Sequence, residues 1–500
     1  MPYSVLALGS SAYVNFCSFG IAVNDALEAI NGKRLLPLVK ADARYGQDKT
    51  FKNWAVSSFS NLCQFFNLEI DSKAKKNWPF ASGNLKSTIL KNLRFRDMHQ
   101  LHPVLLKDKT VESTILINSE QISARHWVVT IGFPANSKVP LSPGDHVYVF
   151  PENDPVLVEK VLKRLTGDTS RKMEWNLESG IPPSTAETAL TKYLDLTATP
   201  TETQVEQWIC CSQDKYERKR LQKFLSNQIQ QCQDSWRKML YSSSHQTLDQ
   251  WALKGKPSVL DFLELFPNLK IPVDIFVASL SKMLPRPYSV ARSSSGKPLS
   301  FKGKHYIVTD LVYEQVLHKS MNGGLHLGTC TGFLSSMDIG QRFLTYKFQN
   351  EHFKMPPDLS TPLLMIATGS GIAPFRSFWQ SRGKEEGCIN VKLDWLYFGC
   401  RNEDEALFYE EATFHVNVRM AFSRRTDMKK TYVQDLLRLD AIHIFNLIVN
   451  QQANVYICGK TAMVSAVEDA LNEVLGQSGC QSTNVEAMKT NGKLMEEHFG

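Results

Sequence analysis

Along these 500 residues, short apolar runs ending at glycine, proline or asparagine alternate with stretches whose apolar residues recur every three or four positions. The first pattern predicts strands and the second predicts helices. Tyr3–Leu8 is an apolar run that stops at Gly9-Ser10, as a buried parallel strand would. Phe19–Ile30 has helical spacing and stops at Asn31-Gly32, a helix C-terminal signal. Arg34–Val39 reads as a second strand and Phe51–Phe66 as a second helix. Two strand–helix units cannot cover both faces of a doubly wound sheet. Residues 1–68 therefore read as part of a domain that the chain enters midway.

Residues 69–98, rich in Lys, Asn and Ser, read as a linker. Strand-type runs return at Thr110–Asn118, Ala124–Phe133 and His146–Phe150, with a Pro-Gly turn before the last, which suggests an antiparallel barrel or sandwich. The pattern turns helical over about 155–280, at Val156–Leu165, Ser184–Leu194, Glu202–Cys211, Lys215–Cys232 and Val259–Phe266. Strands resume at Arg286–Ser293 and His305–Tyr313, so a helical block interrupts a β-domain spanning 99–350. Over 355–500 the two periods alternate. Strands Leu363–Ala367, Leu393–Phe398, Val416–Phe422 and Val455–Cys458 are interleaved with helices from Pro374 and at Glu403–Ala412, Val433–Leu439 and Ala462–Leu475. That alternation predicts a parallel sheet with helices on both faces. The fold class is thus multidomain α/β.

Composition narrows this picture. A hydrophobic fraction of 43% against 21% charged residues excludes a disordered chain. No run of about 20 apolar residues marks a membrane span, and the N-terminus lacks a secretory pattern. The net charge of +7 is mild for this length and shows no concentrated nucleic-acid face, though it favours an anionic ligand or acidic partner. Ten cysteines without CxxC or Cys/His metal spacing suggest a reduced, cytoplasmic chain with no zinc site.

Several constellations carry candidate chemistry. Thr368-Gly-Ser370-Gly-Ile-Ala-Pro374 joins a predicted strand to a predicted helix, where a glycine turn and a helix N-terminus can receive a phosphate. Ser423-Arg424-Arg425 with Lys430-Thr-Tyr432-Val-Gln434 follows a strand of the same sheet, and could clamp a phosphate monoester with an aromatic beside a base. The alternatives are a ligand-free turn for the first, which its strand-then-helix setting disfavours, and a solvated basic loop for the second. Cys458-Gly459 ends a strand at the sheet edge where ligands bind, or is a small buried apolar position. Arg286-Pro-Tyr288-Ser289 and Gly328-Thr329-Cys330-Thr331 could hold a pyrophosphate and a flat ring, or be a turn and an N-cap. The terminal Glu497-His-Phe499-Gly500, taken alone, reads as a frayed tail. HExxH, GxSxG and Walker patterns are absent.

Taken in order, these motifs resemble the two-flavin NADPH reductases, and most closely the reductase half of nitric oxide synthases. LALGSSAYVNFCSFG at 6–20 and GQDKTFKNWA at 46–55 are similar to the C-terminal half of the family's flavodoxin-like FMN module. SPGDHVYVFPEN at 142–153, YLDLTATPT at 193–201 and RPYSVARSS at 286–294 are similar to its FAD module with helical insertion. GSGIAPFRSFWQ at 369–380, YFGCR at 397–401, SRR, KTYVQD and VYICG at 455–459 are similar to its ferredoxin-reductase-like NADPH module. Methionine synthase reductases and microsomal haem-protein reductases share many of these, and RPYS with EAMK at 486–489 resembles the former.

The resemblance implies roles. Arg286, Tyr288 and Ser289 would hold FAD, and Thr329, Cys330 and Thr331 would meet its pyrophosphate. Ser370, Cys400, Arg401, Ser423, Arg424, Lys430, Tyr432 and Gln434 would bind NADPH. Phe499 would cover the flavin, with Ser289, Cys458 and Glu497 around the point of hydride transfer. Ser10, Tyr13, Phe16, Cys17 and Gln47 would contact FMN, although the missing half of that module, with its phosphate loop, counts against FMN binding. Electrons would pass from NADPH to FAD, then to FMN, and on to a haem protein or haem domain. Calmodulin would act only through a segment absent here, and a homodimer is one option for the intact parent. A cobalamin-linked reductase and a non-catalytic nucleotide-binding paralogue are the alternatives. The chain departs from the family at Ala43, Ser370, Lys460 and Glu497, the last standing for an Asp.

Overall fold

The computed structural model describes residues 2–9, 16–42, 47–68, 111–137, 140–173, 181, 183–225, 248, 251, 257–292, 298–319, 325–383, 393–427, 429–476 and 484–499. The expected linker lies outside them. The chain divides into two compact units, one of Met1–Val104, Asn153–Met283 and Leu317–His326, the other of Leu105–Glu152, Leu284–Val316 and Leu327–Gly500.

In the first unit, β1 (Pro2–Tyr3) and β2 (Leu6–Gly9) pair in parallel with β3 (Lys33–Arg34) and β4 (Val39–Asp42) respectively. The single strand expected over 34–39 is therefore two. Pro37, which has no N–H to give a ladder, lies at the break. Helices α1 (Ser18–Ala29) and α2 (Gln47–Phe65) follow as expected. α1 lies so close to β2 that a Cβ added at Gly20 would sit 2.3 Å from the Ala7 Cβ.

The same unit contains helices α3 (Pro155–Arg164), α4 (Ala186–Lys192), α5 (Glu202–Cys211), α6 (Lys215–Leu225), α7 (Val259–Leu265) and α8 (Val273–Ser279). Their ends follow capping chemistry. Asp154 accepts from the Val156 and Leu157 amides, and Thr201 and Gln204 form a capping box. The part of the expected helix beyond Leu225 lies outside the described residues. α8 was not expected, because seven nearly all-apolar residues carry no amphipathic period. Its Phe276 packs against Trp208, whose indole donates to Ser279 Oγ at 2.8 Å.

The second unit holds two sheets. Strands β5 (Val111–Gln121), β6 (His126–Pro134), β7 (His146–Val149), β8 (Arg286–Ser289), β9 (Leu299–Phe301), β10 (Lys304–Glu314) and β11 (Arg342–Phe348) form one, in the order β8-β7-β11-β5-β6-β10-β9. Every pairing given for it is antiparallel. β7 and β8 are neighbours although 150–285 lies between them, so the helical block is an insertion at this sheet position. α9 (Thr329–Ser336) precedes β11.

The second sheet is wholly parallel. β12 (Leu363–Thr368), β13 (Trp395–Cys400), β14 (Asn417–Phe422), β15 (Asn454–Lys460) and β16 (Leu494–Phe499) lie in the order β14-β13-β12-β15-β16. α10 (Ala373–Arg382), α11 (Tyr409–His415), α12 (Val433–Leu439), α13 (Ala441–Phe445), α14 (Thr461–Gly476) and α15 (Val485–Thr490) complete it. Separate apolar clusters form around Leu364, Ile366, Val455 and Ile457 and around Leu363, Met365, Tyr456 and Cys458, the two faces of the sheet. Two expectations fail here. The helix expected over Glu403–Ala412 is a 3-10 turn, Glu403–Glu405, then α11, with Phe408 at φ +54° before it. The C-terminus is not a frayed tail, because β16 pairs along its length with β15. No helix among the described residues is long and apolar enough to cross a membrane.

Candidate active site

The strand order of the parallel sheet reverses between β12 and β15, so their C-terminal ends open a crevice of the kind that receives nucleotides. A 3-10 turn, Gly369–Ile372, leaves β12 there, with Gly369 at φ +54°. Across it, a Cβ added at Gly371 would fall 2.3 Å from the Cys458 carbonyl oxygen and 3.2 Å from the Phe499 ring. Only glycine lets the turn lie flat on β15.

Four expected residues meet at this end. Parallel register sets Cys458 beside Glu497 and Lys460 beside Phe499. Ser289 Oγ donates to Glu497 Oε2 at 3.2 Å, and Cys458 Sγ lies 4.0 Å from the same oxygen. Burial, then the nearby Glu497 charge, pushes the Cys458 thiol well up, so it stays protonated. Glu497 Oε1 receives Asn350 Nδ2 at 2.6 Å and His146 Nε2 at 2.8 Å.

Beside it, Tyr288 and Ser289 lie on β8, and Ser289 faces His146 across the β7 ladder. Burial first, then the Cys330 thiol, raises the Tyr288 hydroxyl well above its usual range, and burial pushes Cys330 up to about 12. Both stay protonated. Gly328 begins α9 without any side-chain cap, leaving the first-turn amides to other acceptors. Thr331 is less available than its motif suggested. Its hydroxyl donates to the Gly328 carbonyl at 3.3 Å and accepts from the Val316 amide at 3.3 Å. Arg286 donates to the Leu284 carbonyl.

The cationic constellation separates into different kinds of residue. Arg425 is bound by Glu403 at 2.5 Å and by Asp427. Arg401 lies 3.9 Å from Glu405. Arg424 is exposed and has no ion-pair partner among the described residues, while its amide is fixed to the Arg401 carbonyl at 2.8 Å. Lys430 stands 4.9 Å from the centre of the half-exposed Tyr432 ring. Ser423 Oγ donates to the Cys400 carbonyl at 3.3 Å, and burial pushes the Cys400 thiol up to about 12. Ser370 and Gln434 are partly exposed nearby in sequence to these turns.

In the first unit, Cys17 is buried, with φ +60° and its thiol donating to the Ala7 carbonyl; Phe16 precedes it, partly exposed. Gln47 Nε2 donates to the Ala41 carbonyl at 3.0 Å, which ties α2 to β4. Ser10, Tyr13 and Ala43 lie outside the described residues.

Sequence reasoning missed Asn350, which belongs to no motif, and His146, which lies inside the quoted SPGDHVYVF segment. It also missed Arg125, bidentate to Glu405 at 2.9 Å and paired with Glu314, and beside it His126. His126 Nδ1 meets Ser123 Oγ at 2.8 Å, while its buried Nε2 has no hydrogen-bond partner among the described residues. Burial lowers the His126 pKa from 6.5, against the pull of Glu314. The unfolded chain therefore binds a proton that the folded chain refuses. Stability is full above the unfolded value and falls as pH drops through about 6.5 toward the lower folded value. The urea midpoint should drop less from pH 7 to 5.5 in His126→Gln than in the parent chain; equal drops would refute this.

Comparison with known proteins finds three family models along the chain. The family described as FAD binding domain matches residues 133–333, the oxidoreductase NAD-binding domain matches 365–469, and flavodoxin matches 1–54. A nitric oxide synthase of Anopheles stephensi is 28% identical over 95% of this chain and 39% of its own length. Nitric oxide synthase 3 of Sus scrofa is 28% identical over 96% of the chain and 41% of its length. A Drosophila melanogaster nitric oxide synthase is 28% identical over 100% of the chain and 38% of its length. The chain thus spans about two-fifths the length of these curated relatives.

Proposed function

We propose a division of labour on one premise: the chain is an NADPH-dependent flavoprotein oxidoreductase resembling the reductase part of nitric oxide synthases. FAD and NADPH are its cofactors, and FAD supplies the ring that accepts a hydride from the nicotinamide. The residues on hand fit both. A glycine turn at a strand-order reversal and an exposed Arg424, with no ion pair among the described residues, suit a phosphorylated dinucleotide. A helix, α9, that starts at Gly328 without a side-chain cap and a protonated Tyr288 suit a flavin nucleotide.

In this reading Arg286, Tyr288 and Ser289 hold FAD, with Thr329, Cys330 and Thr331 at its pyrophosphate. Ser370, Cys400, Arg401, Ser423, Arg424, Lys430, Tyr432 and Gln434 hold NADPH. Phe499 would cover the flavin and step aside for nicotinamide, while Ser289, Cys458 and Glu497 would orient the reacting faces. Glu497 would accept the Ser289 hydroxyl hydrogen beside the protonated Cys458, and its carboxylate would balance charge that changes during transfer. The antiparallel sheet is the wall of a barrel in a 99–350 FAD module interrupted over 155–280. Residues 355–500 form the NADPH module, 69–98 a linker, and 1–68 half of an FMN module. A haem protein or haem domain is the electron acceptor.

The observation that carries the reading is the convergence of Ser289, Cys458 and Glu497, from three distant segments, at the sheet edge beside Gly371 and Phe499. Purified chain should yield FAD near one equivalent and reduce an artificial dye with NADPH. A chain that stays colourless after incubation with FAD, and does not turn over, sinks the reading.

A further inference from the structure

The two oxygens of the Glu497 carboxylate have different partners. Oε2 faces the proposed reacting groups, Ser289 and Cys458. Oε1 is gripped from the other side by Asn350 Nδ2 at 2.6 Å and by His146 Nε2 at 2.8 Å, short distances for such contacts. Glutamate has one more rotatable bond than aspartate, so a carboxylate on this longer stem keeps one orientation only if something holds it.

Asn350 is built to hold it. The residue is 8% exposed, in the connection between β11 and β12 that joins the two sheets of its unit. Its Oδ1 accepts from the His352 amide at 3.1 Å and the Phe353 amide at 3.3 Å. With the carbonyl side of the amide committed to two backbone donors, the NH2 side must face Glu497. The backbone is fixed too. The Asn350 amide donates to buried Asp145 Oδ1 at 3.0 Å, and Asp145 Oδ2 accepts from Ser142. Phe353 is anchored by the Tyr456 ring, 5.3 Å between centres, one residue from Ile457 and two from Cys458. His146 is steadied by Phe348, stacked at 6.2 Å.

We infer that Asn350 is a positioning residue for hydride transfer. By holding Oε1 it turns Oε2 toward Ser289 and Cys458, and it ties that orientation to the connection between the two sheets. The inference rests on the proposed role of Glu497. Asn350 does not touch the cofactors; it acts through the carboxylate.

The test uses the full chain loaded with FAD, with anaerobic flavin bleaching by NADPH and by NADPH deuterated at the transferred position. Asn350→Ala should lower the rate of flavin reduction about 10-fold, raise the deuterium isotope effect, and leave the KM for NADPH and the FAD content within about 2-fold. Asn350→Ser, which keeps a short donor, should fall in between, and it decides the matter if the alanine variant does not fold. In a Glu497→Gln background the alanine change should add nothing, since both act through one carboxylate. Unchanged rate and isotope effect in Asn350→Ala, or a double variant as slow as the product of the singles, would overturn the inference. A parent chain whose flavin NADPH does not bleach would instead defeat the functional reading itself.

Discussion

Arg424→Ala is expected to raise the KM for NADPH by about 10- to 100-fold while NADH turnover changes less than 2-fold. One charge-assisted hydrogen bond to a phosphate is worth about 1.5–3 kcal/mol, and about 1.4 kcal/mol is a factor of ten. The choice of this arginine follows from its neighbours. Arg425 is already neutralised by Glu403 and Asp427, and Arg401 is close to Glu405. Arg424 has no such counter-charge among the described residues, and its amide is fixed to the Arg401 carbonyl, so the side chain starts from a defined point. Arg425→Ala serves as the contrast, with a change under about 3-fold because its charge is already spent locally. Steady-state kinetics with both nucleotides decides it. Equal losses for NADH and NADPH in Arg424→Ala would remove the phosphate role.

Gly371→Val is expected to cut flavin reduction by NADPH about 100-fold or more while FAD stays bound. The added Cβ would stand 2.3 Å from the Cys458 carbonyl oxygen, and backbone cannot yield as a side-chain tip can. The turn must lift off β15, or β15 must shift and take Cys458 and the Glu497 beside it along. A displacement of about 1 Å at a transfer site costs roughly 100-fold in rate. FAD content should survive, since Gly371 lies in the turn that leaves β12 of the parallel sheet, whereas the 328–331 segment begins α9, ahead of β11 of the antiparallel sheet. Stopped-flow bleaching together with flavin extraction checks both halves. Normal bleaching in a fully flavinated variant would show that the tight turn does not set the reacting geometry.

Much of the fold is legible in the residue order because it rests on local physics. The strand-then-glycine-then-helix passage at 363–382 needs only an apolar run, a turn without Cβ obstruction and a proline in the first helical turn. Alternating periods over 355–500 dictate a parallel sheet, since parallel strands need crossovers. Errors fall where local signals are thin. The seven residues of α8, five of them apolar, are too few to show a helical period. The run at 34–39 is split at Pro37 by partners elsewhere. The terminal Phe499 looks like a loose end until β15 supplies an edge for β16.

The candidate site divides in the same way. The family resemblance marks Ser289, Cys458, Glu497 and Phe499, although the tail taken alone reads as loose, and the basic run after a strand marks Arg424. Asn350 and His146 carry no such mark. An asparagine in a connection gains meaning only once its amide is held by the His352 and Phe353 N–H groups and aimed at Glu497. Likewise, charge alone makes Arg424 and Arg425 equal; only folding brings Glu403 against one and leaves the other open. Residue order determined the elements, their sequence and the chemistry available, through short-range sterics and burial. Tertiary structure decided which oxygen of Glu497 Asn350 holds, which arginine Glu403 pairs with and which thiol lies beside Glu497, since those depend on contacts between segments that are apart in the chain.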